Sequence, residues 1–429
     1  MYLRRIEINN IRSLQDAIWD IGHDSNAFGW HVILGDNGSG KTTFVRSVAL
    51  ALVGTVEAAA LRQNWGEWLR KDEKRGLTAL VFEGDSRFDT YPESNYPKFL
   101  TSYLSFRRKE NGVVELSVLS GYSEPLPPTW GDKKVWFSAS YGPFRRFSGG
   151  DKDYEKMFYS NPRLAPHLSA FGESVALSES IQWLQDLKFR ELESPKSPES
   201  KLLRHLTAFV NQVGFLPNNT TLEKVSSAGV HFKDGNGCDV TVEELSDGYR
   251  SVLSMTFELI RQMSKAYQGM EIFSTDSTKI IVPGVVLIDE VDAHLHPSWQ
   301  RKIGLWFREH FPAVQFIVTT HSPLVCQAAS VGTVFRLPAP GSDEKAGFVT
   351  GTDLDRLLYG NILEAYSTEL FGEGTTRSEE SRNRLERLAE LNVAEMEREL
   401  TPAEREEQER LRATLPTTAH ALAGANGAK

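Results

Sequence analysis

A glycine-rich run, Gly35-Asp36-Asn37-Gly38-Ser39-Gly40-Lys41-Thr42, follows the short apolar strand HVIL. It leads into a helix predicted over Thr42 to Ala58, with Phe44, Val45, Val48 and Leu52 at helical spacing. Set between a strand and a helix, these residues have the full pattern of a phosphate-cradling loop. The glycines let backbone N–H groups turn inward, Lys41 reaches terminal phosphates, and Thr42 offers a hydroxyl to magnesium, with Thr43 in the same site.

Such a cradle hydrolyses nothing without carboxylates, and these stand at the end of a second apolar run, VVLIDEVDAHLHP. Asp289 and Glu290 close a strand that reads as fully buried, where charge is costly unless it is used. Asp289 is placed toward magnesium and Glu290 toward the attacking water. QFIVTTHSP is another buried strand, and it ends in His321 at the sheet edge where open α/β folds bind ligands. An imidazole N–H there can sense a terminal phosphate. Ser246 in LSDGY is predicted to cap a long apolar-striped helix, and Gly248 keeps that helix N-terminus open as an anion site.

The remaining chain narrows the class. Hydrophobic residues make up 40% and charged residues 24% of 429 residues, near globular averages. No apolar run approaches the roughly 18 to 20 residues of a membrane span, so a soluble, cytoplasmic protein without membrane association is expected. The two cysteines, Cys238 and Cys326, lack zinc-type spacing. A net charge of -9 argues against a surface that binds nucleic acid throughout. Two local basic clusters stand out: Arg62, Arg70, Lys71, Lys74 and Arg75 near Trp65 and Trp68, and Arg107, Arg108 and Lys109. Their ordinary reading is a solvated helix face and a strand-end turn.

Strands alternating with helices predict a parallel sheet. The punctuation of the chain predicts four parts: residues 1–83 with the phosphate loop; 84–240 as an insertion, partly a helical lid; 241–375 with the remaining motifs; and 376–429 as a charged helical tail. Ile181, Leu184, Leu187 and Phe189 are read as one amphipathic stretch of the lid. Thr401, Pro402 and Glu404 form a capping-box start between two tail helices, and ALAGANGAK reads as a disordered end.

Loop, signature, carboxylate pair and histidine, in this order, resemble the ATP-binding-cassette (ABC) ATPases, in which two heads sandwich two ATP molecules. The resemblance implies an α/β P-loop NTPase of ABC type with a mixed or parallel sheet core, and a homodimer or higher homo-oligomer in which Ser246 and Gly248 contact the nucleotide of the opposite head. Asp247 and Tyr249 depart from the LSGGQ signature. More narrowly, GVVLIDEVDAHLHPSWQ with QFIVTTHSP is similar to the soluble RecF, SMC and OLD-like branch, especially stand-alone ATPases of bacterial anti-phage systems such as Septu and certain retrons. It covers residues 1–83 and 225–330. It implies ATP and Mg as ligands, and a partner, expected to be an HNH-type nuclease subunit, with DNA as a further candidate partner. A RecF-like repair ATPase and a transporter motor subunit are the alternatives.

Several residues depart from or extend that pattern. His296 follows Leu295 where transporter ATPases carry an aspartate, and Gln63 falls too early for a Q-loop glutamine. Arg12 sits where related heads often place a basic residue near the phosphates, or is a strand-end surface arginine. Asp353 and Asp355 spell a DxD pair like that of Toprim nucleases, but read better as the N-cap and first turn of a helix.

Overall fold

The computed structural model describes residues 1–23, 25–85, 87–89, 98–118, 136–145, 160–172, 179–216, 219–227, 229–360 and 379–415. Contacts divide the chain into two compact units, Met1–Gly360 and Asn361–Lys429.

In the first unit the strands are β1 (Tyr2–Ile11), β2 (Leu14–Asp20), β3 (Gly29–Leu34), β4 (Arg75–Glu83), β5 (Phe99–Arg108), β6 (Val114–Val118) and β7 (Ser138–Tyr141). They continue as β8 (Thr221–Ser226), β9 (Gly229–Lys233), β10 (Asp239–Thr241), β11 (Gly284–Ile288), β12 (Val314–Thr319), β13 (Gly332–Arg336) and β14 (Gly347–Phe348). β1 alternates buried Ile6 and Ile8 with half-buried Glu7 and Asn9, as a strand with one covered face should. It lies between β2 and β4 in an antiparallel sheet of order β2-β1-β4-β5-β6. A second sheet has the order β14-β13-β3-β12-β11-β7, parallel except for the β13–β14 pair. β3, β11 and β12 are buried at every residue, which explains their unbroken apolar runs.

The Lys41–Val53 helix shares one core with both sheets. Eleven of its residues are buried, so it is apolar all round rather than amphipathic. It ends five residues before the predicted Ala58, because Gly54 at φ 86° takes a conformation that bulkier residues resist. The next helical piece departs at 119°. Among the described residues no single helix is long and apolar enough to cross a membrane.

The stretch read as an insertion contributes to the core of the molecule. β5 and β6 extend the antiparallel sheet, and β7 pairs in parallel with β11, Val285 opposite Ser138 through Ile288 opposite Tyr141. β7 reads SASY, too short and too polar for hydropathy to reveal it. The Glu179–Glu193 and Pro198–Val210 helices are present, with Leu184 and Leu187 buried; Phe189, expected on that face, is exposed. Phe209 and Phe215 pack edge-on against His310.

In the second unit the Glu379–Glu397 and Pro402–Thr414 helices close on Leu388, Leu391 and Leu411. Thr401 and Glu404 form a reciprocal capping box. The stretch ALAGANGAK lies outside the described residues.

Candidate functional site

The loop after β3 is shaped by its small residues. Gly38 (φ 81°) and Gly40 (φ 101°) adopt left-handed backbone, and a Cβ on Gly40 would lie 2.7 Å from Leu14 and Ser13 side-chain atoms. Asp36, Asn37 and Gly38 are exposed, Thr42 is half-buried, and Ser39 and Thr43 are buried. Lys41 opens the helix and folds back, its Nζ donating to the carbonyls of Gly35 (2.7 Å) and Asp36 (2.9 Å). Burial pulls its pKa down, against the opposing charges of Glu290, Asp289, Asp36 and Asp292. The Ser39 hydroxyl is buried and has no hydrogen-bond partner among the described residues.

β11 and β12 bring the carboxylates to the same edge. Thr319 Oγ1 donates to Asp289 Oδ1 (2.6 Å) and accepts the Glu290 N–H (2.8 Å), so one hydroxyl fixes both residues. Asp289 is 2% exposed. Glu290 has φ 47°, a left-handed conformation uncommon for a residue with a side chain. Thr320 Oγ1 donates to Asp292 (2.5 Å). His321 is exposed; burial of its inner part lowers its pKa, Lys41 lowers it further, and Asp292, Glu290 and Asp36 oppose. Lys41, Asp36, Asp289, Glu290, Asp292 and His321 therefore lie within one electrostatic neighbourhood.

Ser246, Gly248 and Arg12 have different surroundings. Ser246 is the N-cap residue of the Asp247–Ala266 helix, yet its side chain makes no capping bond, contrary to expectation. It is exposed, and with Gly248, Tyr249, Val252, Leu295 and Trp299 it lines a cavity of about 250 Å³. Arg12 (φ 48°) holds its guanidinium 4.6 Å over the Trp68 ring, while its chain neighbours Ser13 and Leu14 abut Gly40. His296 caps the Pro297–His310 helix, accepting from the Ser298 N–H (3.3 Å). The N-cap of the Gly351–Tyr359 helix is Thr350 and not Asp353, which lies in the first turn 3.6 Å from Arg356.

Residues 152–327 match the protein family described as "AAA domain, putative AbiEii toxin, Type IV TA system", and residues 5–111 match a second "AAA domain" family. The retron Ec83 probable ATPase of Escherichia coli is 29% identical over 444 residues, covering 86% of this chain and 80% of that protein. The Septu protein PtuA of Bacillus mycoides (strain KBAB4) is 23% identical over 389 residues, again 86% of this chain. The chain spans 45% of the length of that PtuA. By these matches the chain is similar to AAA-domain ATPases, among them those of Septu and retron systems. Among solved structures, an Smc head bound to the C-winged helix domain of ScpA aligns with TM-score 0.48 at 15% identity, over 81% of this chain and 98% of that one.

The donor set of this chain fits a magnesium nucleotide. Among the described residues, a Ser39 hydroxyl without a partner, a lysine held by two backbone carbonyls and glycines whose Cβ positions are filled make a cradle suited to phosphate oxygens. Thr42 and Asp289 offer the oxygen ligands that magnesium prefers.

One residue of this neighbourhood carries no motif. Arg145 is 5% exposed and donates to the carbonyls of Gly142 (3.0 Å), Asp289 (2.9 Å) and Glu290 (3.0 Å), and to Ser251 Oγ (3.0 Å). Burial lowers its pKa to about 10, opposed by Asp289, Asp292 and Glu290, so it stays charged at neutral pH. Its only signal in the sequence is an arginine pair after Gly142-Pro143, which says nothing of burial.

Proposed function

We propose that the chain binds ATP with magnesium on the Gly35–Thr43 loop and hydrolyses it. Lys41 supports this most directly: its ammonium is anchored to the loop carbonyls while facing the field of Asp289, Glu290 and Asp292. Lys41 and the loop N–H groups hold the phosphates, Thr42 and Asp289 hold magnesium, and Glu290 takes the proton of the attacking water. Magnesium, when bound, neutralises charge between the terminal phosphates. His321, neutral near pH 7, contributes an uncharged N–H.

Two heads close around ATP, each offering Ser246 and Gly248 to the nucleotide of the other. That closure controls a partner, a nuclease subunit of HNH type, in bacterial anti-phage defence; the similarity to PtuA and to a retron ATPase supports this part. In the test, Lys41→Ala abolishes binding of a fluorescent ATP analogue. Glu290→Gln stops turnover and accumulates an ATP-dependent dimer in light scattering. Normal nucleotide binding by Lys41→Ala would sink the site, and full turnover by Glu290→Gln would sink the mechanism.

A second reading, a RecF-like ATPase acting on DNA, is favoured by the way folding merges the two basic clusters. Arg75 lies directly opposite Arg107 on neighbouring strands, and both are exposed.

A further inference from the structure

The turn that follows β7 joins two parts of the molecule that share no sequence motif. Tyr141, the last residue of β7, accepts the Asp289 N–H at 2.8 Å. Four residues later, Arg145 gathers the carbonyls of Asp289 and Glu290, with Val291 at 3.5 Å, and the carbonyl of Gly142. Successive carbonyls converge on one side chain only if the chain bends sharply, and it does so at Glu290, where φ is 47°. A left-handed glutamate costs on the order of 1 kcal/mol or more and persists where the surroundings over-determine it. The guanidinium supplies that determination, because its donors spread in a rigid plane over several acceptors, which a lysine ammonium cannot match.

The remaining donor of the same side chain points elsewhere. Arg145 Nε donates to Ser251 Oγ at 3.0 Å, and Ser251 is buried in the second turn of the helix whose N-terminus carries Ser246 and Gly248. A single planar group thus touches the bend that aims Glu290 and the helix that presents the signature.

We propose that Arg145 is a positioning residue that couples the seating of the Ser246–Gly248 helix to the direction of the Glu290 carboxylate. The inference rests on the ATPase reading above. Displacement of the helix end pulls on Ser251, and through Arg145 on the Glu290 backbone, so turnover changes while the phosphate loop keeps its grip on ATP.

The test uses the full chain and measures steady-state turnover, binding of a fluorescent ATP analogue and the thermal midpoint. Ser251→Ala removes the link to the helix and leaves the carbonyl bonds of Arg145 in place. It lowers kcat by about tenfold with KM and ATP affinity unchanged, and Ser251→Thr, which restores the hydroxyl, recovers most of the loss. Arg145→Lys loses more, up to about 100-fold in kcat, again without loss of ATP affinity. If Ser251→Ala turns over like the parent, or if kcat, ATP affinity and thermal midpoint fall together in both variants, Arg145 only holds the fold and the coupling is wrong. A parent chain that binds no ATP, or whose turnover survives Glu290→Gln, overturns the ATPase reading itself and the coupling with it.

Discussion

Thr319 shows how much one hydroxyl carries at this site. It donates to the Asp289 carboxylate and accepts the Glu290 N–H. Thr319→Val preserves shape and orphans a backbone N–H, so it costs about 1–3 kcal/mol in urea unfolding, whereas Thr319→Ser retains most of that stability. His31 is a different residue-scale case. It is buried, bonds Thr333 Oγ1 and the Ala27 carbonyl through its two ring nitrogens, and burial lowers its pKa from 6.5 to about 4. Below 6.5 the unfolded imidazole takes up a proton that the folded one refuses, so stability is full above that value and declines toward about 4. The decline from this group is about 1.4 kcal/mol per pH unit. Unfolding of His31→Gln across that window lacks this part of the slope, and a slope equal to the parent's contradicts the burial argument. Lys41, Asp289, Glu290 and His321 were legible because their chemistry needs fixed neighbours in the chain. Thr319 and Arg145 were not, because their partners stand 30 and 144 residues away in the sequence and only strand register brings them close.

At the scale of elements, apolar runs identified β3, β11 and β12 because each is covered on both faces. β7 escaped because four residues of mixed polarity carry no period, and with it went the link between residues 138–145 and the carboxylates. The end of the Lys41–Val53 helix at Gly54 was written in the sequence as a glycine, but periodicity alone ran past it. His296, which departs from transporter sequences, has a local role as a helix start with Pro297 behind it. His296→Ala therefore lowers stability by about 1 kcal/mol, and His296→Asp, a better cap, restores it in thermal unfolding. An unchanged midpoint in His296→Ala would leave the capping bond without energetic weight.

At the scale of the whole molecule, Arg75 and Arg107 of the two basic clusters stand 32 positions apart in the sequence, and pairing of β4 with β5 brings them to one edge. The row across three strands is Arg75, Arg107 and Glu115, so Arg75 is the charge with only a like-charged neighbour across the strand. Like charges directly opposite destabilise a sheet, and Arg75→Glu is expected to raise stability by about 0.5 kcal/mol. On the DNA reading the same change weakens duplex binding and reduces its salt dependence, so fold and binding move in opposite directions. Duplex affinity unaffected by Arg75→Glu at low salt would remove this edge as a nucleic-acid surface.

The strand order also fixes when the molecule can come into being. β3, which leads into the phosphate loop, is flanked by β12 and β13, and neither exists until residues 314–336 have been made. The antiparallel sheet, in contrast, is complete by Val118. At about 5–20 residues per second, a nascent chain carries its loop for tens of seconds before its neighbouring strands and carboxylates arrive. Each newly made chain thus passes through a long stage in which the loop is present without the strands that flank it, and the central sheet closes only when the last third of the sequence has been made.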